Sequence, residues 1–160
     1  MEDTNKETSF FICQSKEDFE TAKTITKDYM QWLGMDLSFQ NIDNEFNVFE
    51  KMYAKPEGCF IFALYEGKIA GGVGLRKLEE GICEMKRLYV YDDFQGKGIG
   101  KLLCNEIISI SKSLGYSKMR LDTVSKLKSA NKLYDKIGFK EIPKYRKNPD
   151  ETARFMELEL

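Results

Sequence analysis

Apolar side chains fall along this chain in two alternating rhythms. Phe19, Ala22, Ile25, Tyr29 and Leu33 recur at three- and four-residue steps behind Ser15, with Asp18 at the third position for a capping box, and this predicts a helix after a short apolar run from Ser9 to Gln14. Ile42, Phe46, Phe49 and Tyr53 predict a second helix, which Lys55-Pro56 ends because the prolyl ring disfavours continuation. Residues 59–66 and 68–75 are apolar and aromatic on either side of Glu66-Gly67, as in a tight antiparallel hairpin, and 82–91 extends that meander as a third strand. A long helix over 98–114 carries Ile99, Leu102, Leu103, Ile107, Ile110 and Leu114 on one face and closes at Gly115. A strand at 117–123, a helix at 126–137 ending at Gly138, and strands at 139–142 and 153–160 complete the pattern. With no repeat, linker or low-complexity stretch between them, these elements describe one mixed α/β domain over 9–160, behind a polar N-terminal segment, 1–8, expected to be flexible.

Composition narrows the chemistry. The 160 residues include 25 Lys and Arg against 26 Asp and Glu, a net charge of -1, so no overall field recruits nucleic acid or a membrane surface, and any anion site must be local. The chain contains no histidine, which removes Ser-His-Asp, Cys-His and most zinc chemistries and leaves proton transfer to carboxylates, Tyr, Lys or water. No metal site is expected. Cys13, Cys59, Cys83 and Cys104 are widely spaced, as buried free thiols would be rather than a disulfide scaffold. Absence of an apolar leader or a membrane-length stretch leads us to expect a cytoplasmic protein.

Chemistry concentrates where the strand ending at Tyr91 passes through Asp92-Asp93-Phe94 into Gln95-Gly96-Lys97-Gly98-Ile99-Gly100-Lys101 and directly into the long helix. Glycines let the backbone approach a ligand and take positive φ, the first amides of the helix point outward with the positive end of its dipole, and Lys97 and Lys101 add charge. That is a phosphate site in outline, although three glycines can also serve only a tight strand-to-helix turn. A dinucleotide fingerprint would need glycine where Lys101 stands, and a P-loop would need Ser or Thr where Leu102 stands, so nucleotide binding fits poorly.

Together with its flanks, this loop resembles the cofactor motif of the GNAT superfamily, the Gcn5-related N-acetyltransferases. Gln95, Gly98 and Gly100 match Gln/Arg-x-x-Gly-x-Gly/Ala behind the strand end Leu88-Tyr89-Val90, and the run from Ser129 to Phe139 is similar to the family's Asn-x-x-Tyr…Gly-Phe helix. The segments Glu84 to Val90 and Arg120 to Thr123 look like a widespread bacterial subgroup of unassigned acetyltransferases. The resemblance covers residues 12–160 and implies a central, mostly antiparallel, twisted sheet of about seven strands flanked by about four helices and splayed at the cofactor site. It further implies acetyl-CoA as donor, with the backbone amides of Gln95, Gly96, Lys97, Gly98, Ile99, Gly100 and Lys101 on the pyrophosphate, Leu88 and Val90 edging the pantetheine arm, and Asn131 near the thioester. The alternative for Asn131 is a helix cap. Many relatives form dimers, so a homodimer is expected.

Transfer to an amine needs a base and benefits from an acid. Glu84 is the candidate base, on the face of Leu88 and Val90 if the strand alternates without a bulge; otherwise it forms a salt bridge to Lys86 or Arg87, and Asp122 is the alternative carboxylate. Tyr134, at the family's tyrosine position, is the candidate acid for the leaving thiolate; its alternative is a core aromatic. Without a histidine beside them, Cys83 and Cys104 are not expected to form an acyl-enzyme, and direct attack is preferred. The acceptor is a small-molecule or protein amine. Asp36, Asp43 and Glu45, near the stretch from Trp32 to Asn44 where the family builds its acceptor wall, hint at a cationic one, although a solvated loop explains them equally. A non-catalytic acyl-CoA-binding regulatory module would retain the glycine loop without usable acid and base groups.

Overall fold

The computed structural model describes residues 7–34 and 42–160, with the side chains of residues 42–44 excluded. Its elements are β1 (Thr8–Ile12), α1 (Lys16–Leu33), α2 (Ile42–Asn47), α3 (Phe49–Met52), β2 (Cys59–Tyr65), β3 (Lys68–Glu79), β4 (Ile82–Val90), α4 (Ile99–Ser113), β5 (Lys118–Thr123), α5 (Lys128–Ile137), β6 (Lys140–Ile142) and β7 (Arg154–Glu159). Seven strands form one sheet in the order β1-β2-β3-β4-β5-β7-β6, antiparallel throughout except for β4 and β5. The expected sheet and its neighbourhood of helices are thus present. β1 begins at Thr8, inside the segment expected to be flexible, while residues 1–6 lie outside the described part.

Local chemistry explains the boundaries. Ser15 accepts from the Asp18 amide at 3.1 Å while Asp18 accepts from the Ser15 amide at 3.0 Å, which completes the capping box of α1, and Gly34 ends the helix at φ 66. The single helix expected before Pro56 divides into α2 and α3 at Val48. Glu66 and Gly67, both at positive φ, make the two-residue turn between β2 and β3.

One core lies on each face of the sheet. On one side Ile99, Leu103, Cys104 and Ile107 of α4 pack with Tyr134 and Phe139 over Cys83, Met85, Met119 and Leu121. On the other, Phe19, Ile25, Tyr29 and Leu33 of α1 pack with Phe49, Tyr53, Phe60 and Tyr89.

Two irregularities of β4 open the sheet and redirect its side chains. Its parallel pairing with β5 covers only Ile82–Lys118, Cys83–Met119 and Glu84–Arg120, after which the strands diverge. Against β3, Tyr89 faces Gly72 but Lys86 faces Gly74, so Arg87 and Leu88 together oppose Val73 in a β-bulge, with Arg87 at φ 62.

Candidate active site

The split between β4 and β5 opens a cavity of about 460 Å³ lined by Leu88, Tyr89 and Val90, by Gln95, Gly96, Gly98, Ile99, Gly100 and Lys101, and by Lys126 to Ala130 and Leu133 from the start of α5. Tyr29 and Trp32 of α1 close one side. Gly96 and Gly98 hold φ of 79 and 78, and a Cβ added at either would meet nothing within 4 Å, so the loop faces open space. None of the amides from Gly96 to Lys101 donates to another group of the described protein. Six consecutive amides at the positive end of a 15-residue helix make an anion cradle. Gln95, expected to add its backbone amide, does not: that amide donates to Asp92 O at 3.2 Å, and its side-chain nitrogen reaches Val90 O at 3.0 Å and Asp92 Oδ1 at 3.2 Å, fixing the loop to the end of β4. Lys97 lies over the Tyr65 ring, 5.1 Å from its centroid.

A second, smaller cavity of about 60 Å³ continues from the first, and Tyr29, Leu88 and Leu127 line both. Its remaining walls are Leu33, Met85 to Arg87, Leu121 to Val124, Tyr134 and Asn148. Tyr134 is fixed by the end of its own helix. The amides of Gly138 and Phe139 both donate to Tyr134 O, at 3.2 and 3.0 Å, with Gly138 at φ 113, and this wrap seats Phe139 edge-on to the Tyr134 ring at 5.7 Å. Although the ring is buried, the hydroxyl has no hydrogen-bond partner among the described residues. Burial, and then Cys104, Tyr29 and Asp122, push its pKa well above the ordinary tyrosine value, so it stays protonated across the working range.

Glu84 requires a correction. The bulge shifts the alternation of β4, so that Cys83 and Met85 face the α4 core, Leu88 and Val90 pack on that same core, and Glu84 points to the opposite face. There it is fully buried in an ion cluster, its Oε1 2.9 Å from Arg76 Nε and 3.9 Å from Lys86 Nζ. Its Oε2 accepts from the Tyr145 hydroxyl at 2.7 Å and from Arg146 Nη2. Burial alone would raise its pKa, but Lys86, Arg146 and Arg76 outweigh this and hold it below the usual carboxylate range. A carboxylate this well satisfied is a poor proton acceptor. The salt bridge to Lys86 forms; Arg87 pairs instead with Glu45, at 3.2 Å from Nε and 3.1 Å from Nη2.

Asn131 is also engaged within the protein. Its Oδ1 accepts from Thr123 Oγ1 at 2.8 Å and its Nδ2 donates to Val124 O at 2.9 Å, which ties α5 to the end of β5; it neither caps the helix nor lines either cavity. Glu45 is no solvated loop charge but 4% exposed and consumed by Arg87, which removes it as a sign of a cationic acceptor. Asp36 lies outside the described residues, as does the side chain of Asp43. Cys83 and Cys104 are fully buried, line neither cavity, and burial pushes both thiols up to about 12. Among the described residues no cluster could hold a metal ion.

Asp122 does line the smaller cavity, beside Tyr134, and accepts from Asn148 Nδ2 at 3.2 Å. Sequence reasoning missed Tyr29, Lys86, Lys126 and Asn148 as cavity walls; they come from four separate segments, and no motif marks them.

A cradle of free amides runs into an apolar slot beside a tyrosine hydroxyl without a partner among the described residues, an arrangement with the chemistry to hold an anionic, elongated molecule and to donate a hydrogen bond at its far end. Residues 24–139 match the model of the acetyltransferase (GNAT) family, and the chain belongs to that family. It is 40% identical over 146 residues, 90% of either chain, to an uncharacterised N-acetyltransferase of Schizosaccharomyces pombe. It is 37% identical over 95 residues, 58% of this chain and 35% of the other, to the N-acetylaspartate synthetase of Xenopus tropicalis. Among solved structures, an acetyltransferase from Streptococcus agalactiae superposes with a TM-score of 0.77 at 19% identity, covering 97% of this chain and 99% of that one. A PaiA N-acetyltransferase from Thermoplasma acidophilum in complex with coenzyme A gives 0.68 at 23% identity, covering 95% and 99%.

Proposed function

We propose that this chain transfers an acetyl group from acetyl-CoA to the amino group of a small molecule by direct attack, with Tyr134 as the acid and Asp122 as the carboxylate that receives the amine. The observation that carries this reading is the unpaired Tyr134 hydroxyl in a cavity that meets the glycine-loop cleft at Leu88. The donor fits the residues present: the amides of Gly96 to Lys101 and the lysines beside them suit a pyrophosphate, and the apolar cleft past Leu88 and Val90 suits a pantetheine arm whose amides can pair with the edge of β4 that β5 leaves beyond Glu84, apart from Val90 O, which Gln95 occupies. The Thermoplasma neighbour, solved in complex with coenzyme A, supports coenzyme A as the carrier, and the Xenopus relative's name, which describes a small N-acetylated product, supports a small acceptor over a protein.

Acetyl-CoA would supply an activated acyl thioester; the acceptor, bound as an ammonium ion, gives one proton to solvent, its nitrogen bonds to the carbonyl carbon as the carbon–sulfur bond breaks, and its second proton makes good the one that Tyr134 gives to the departing sulfur, leaving the amide and the CoA thiol. Asp122 holds the ammonium form and takes or relays the first proton through water. Tyr134 donates a hydrogen bond to the departing sulfur, whose reference pKa of about 8.5 makes it a willing acceptor. The buried cysteines take no part. Four buried free thiols also suit the reducing cytoplasm expected from the sequence.

The test is a thermal-shift series with acetyl-CoA, CoA, NAD and ATP, followed by thiol release with amines. At 100-fold over the dissociation constant, acetyl-CoA should stabilise by about 2.7 kcal/mol, a shift on the order of 5–10 °C. Stabilisation by NAD or ATP but not by CoA would overturn the reading. A Tyr134→Phe protein that binds acetyl-CoA and loses no turnover would remove Tyr134 from the mechanism, whereas an unaltered chain that binds acetyl-CoA but releases thiol with no amine would favour a non-catalytic acyl-CoA-binding module.

A further inference from the structure

The acceptor's own charge is legible in the ion cluster beneath the smaller cavity. Four cations converge there, Arg76, Lys86, Arg87 and Arg146, on two buried carboxylates, Glu45 and Glu84. Glu84 is saturated by Arg76, Arg146 and the Tyr145 hydroxyl, and Glu45 is held through both oxygens by Arg87. Lys86 is the member left over. Its side chain is 9% exposed, and its ammonium pairs with Glu45 at 3.5 Å and Glu84 at 3.9 Å, each of which also binds a guanidinium at closer range. Buried ammonium groups are costly without a close partner of their own. Lys86 lines the acceptor cavity, with Arg87 next to it and Asp122 and Asn148 also in its wall. Counting Asp122, four cations against three carboxylates leave an excess of one positive charge among the described residues.

We propose that this cavity selects an amine that also carries a carboxylate, its carboxylate held by Lys86 and its amino group by Asp122. The proposal rests on the transferase reading above and adds to it the chemical class of the acceptor. Lys86 shares both of its carboxylate partners with guanidinium groups; a bound carboxylate gives it one of its own and neutralises the excess charge, whereas a simple polyamine or a protein lysine would bring further positive charge into a pocket already rich in it. Room agrees with charge. At 10–15 Å³ for each water-sized site, the cavity admits roughly four to six such groups, which suits an amino acid head rather than a broad polypeptide surface. Burial, and then Arg87, lower the Lys86 pKa to about 8 against the opposing pull of Glu45 and Glu84, and a bound carboxylate would raise it again. A single set of contacts thus orients both ends of the acceptor, placing its nitrogen on the Asp122 side of the cavity that Tyr134 also lines.

The experiment compares, on the full chain with acetyl-CoA, each of the twenty L-amino acids with its carboxamide and its decarboxylated amine, following thiol release. At least one amino acid should exceed both neutralised analogues by about 10²-fold or more in kcat/KM, because a buried charge left unpaired penalises the analogue. In Lys86→Met that preference should fall about tenfold or more, and in Lys86→Arg it should largely persist. Better turnover of the decarboxylated amines, or a Lys86→Met protein with the full preference, overturns the proposal while leaving acetyl transfer intact. No thiol release with any amine, together with no stabilisation by acetyl-CoA, overturns the transferase reading itself. Should Lys86→Met fail to fold, the matched acceptor series on the unaltered chain decides the matter alone.

Discussion

At the level of single residues, the site depends on which side chains are free. The sequence points to both Tyr134 and Glu84 for catalysis, and their environments separate them: the hydroxyl of one has no partner among the described residues, while the two oxygens of the other share four. Tyr134→Phe removes the free hydroxyl and keeps the ring on Phe139, so melting should change little while kcat falls by about 10²-fold or more, within the range general acids contribute. Isothermal titration with acetyl-CoA beside steady-state rates checks this, and equal losses in affinity and rate would count against an acid. The sequence could place Tyr134 because its position follows from a local pattern, the family's Asn-x-x-Tyr…Gly-Phe run, whose Gly138-Phe139 ends the helix around it. It could not place Glu84, whose orientation turns on one left-handed residue, Arg87, in the middle of a strand. Arginine rarely adopts φ 62, and nothing in the composition of β4 announces that it does so here. Asn131 escapes a local reading for a related reason: its partners Thr123 and Val124 belong to another strand's end, which only the fold brings near.

At the level of elements, the glycine loop and the β6–β7 connection do different work. Gly98 stands at φ 78 immediately before α4, where an alanine would strain the backbone by roughly 1–2 kcal/mol. Gly98→Ala should therefore lower the melting temperature by a few degrees and weaken acetyl-CoA binding by tenfold or more, since the cradle's amides must turn with that residue; a variant with lowered stability and unchanged affinity would show that the loop only makes a turn. The β6–β7 connection is anchored from outside the sheet, by Tyr145 and Arg146 on Glu84 and by Asn148 on Asp122. Glu84 thus positions a wall of the smaller cavity. Glu84→Gln leaves buried cations short of a counter-charge and should cost about 3–5 kcal/mol, raising the acceptor KM more than the acetyl-CoA dissociation constant. The sign of the pH effect follows from the same group. Its folded pKa lies below the unfolded value, so the charged form contributes stability that is complete above about pH 4.5 and is lost as pH falls through the lowered folded value. Glu45 behaves alike. Melting temperatures of the unaltered chain should drop steeply below pH 4.5, and Glu84→Gln should flatten that fall.

At the level of the whole molecule, the net charge of -1 conceals a strong local arrangement. Lys101, Lys126 and Lys128 line the larger cavity and Lys97 lies in its loop, whereas the smaller cavity mixes both signs in a buried network. This division is why the element order and the sheet were readable from hydrophobic rhythm, yet the cavity walls were not: rhythm encodes which face is buried, and the walls are assembled where α1, β4, β5 and the β6–β7 connection converge at a split in the sheet. The same division makes a prediction about salt. Exposed lysines attract phosphates through a field that ions screen over about 8–10 Å at ordinary ionic strength, whereas buried pairs are screened far less. Raising salt from about 50 to 500 mM should therefore weaken acetyl-CoA binding severalfold or more, mainly through slower association, while a short acetyl thioester without phosphates should be used with little change in kcat/KM. Stopped-flow association rates across that range provide the measurement. Equal salt dependence for the two donors would mean that the lysines around the glycine loop are not what draws the phosphates, and that the cradle acts through its backbone amides alone.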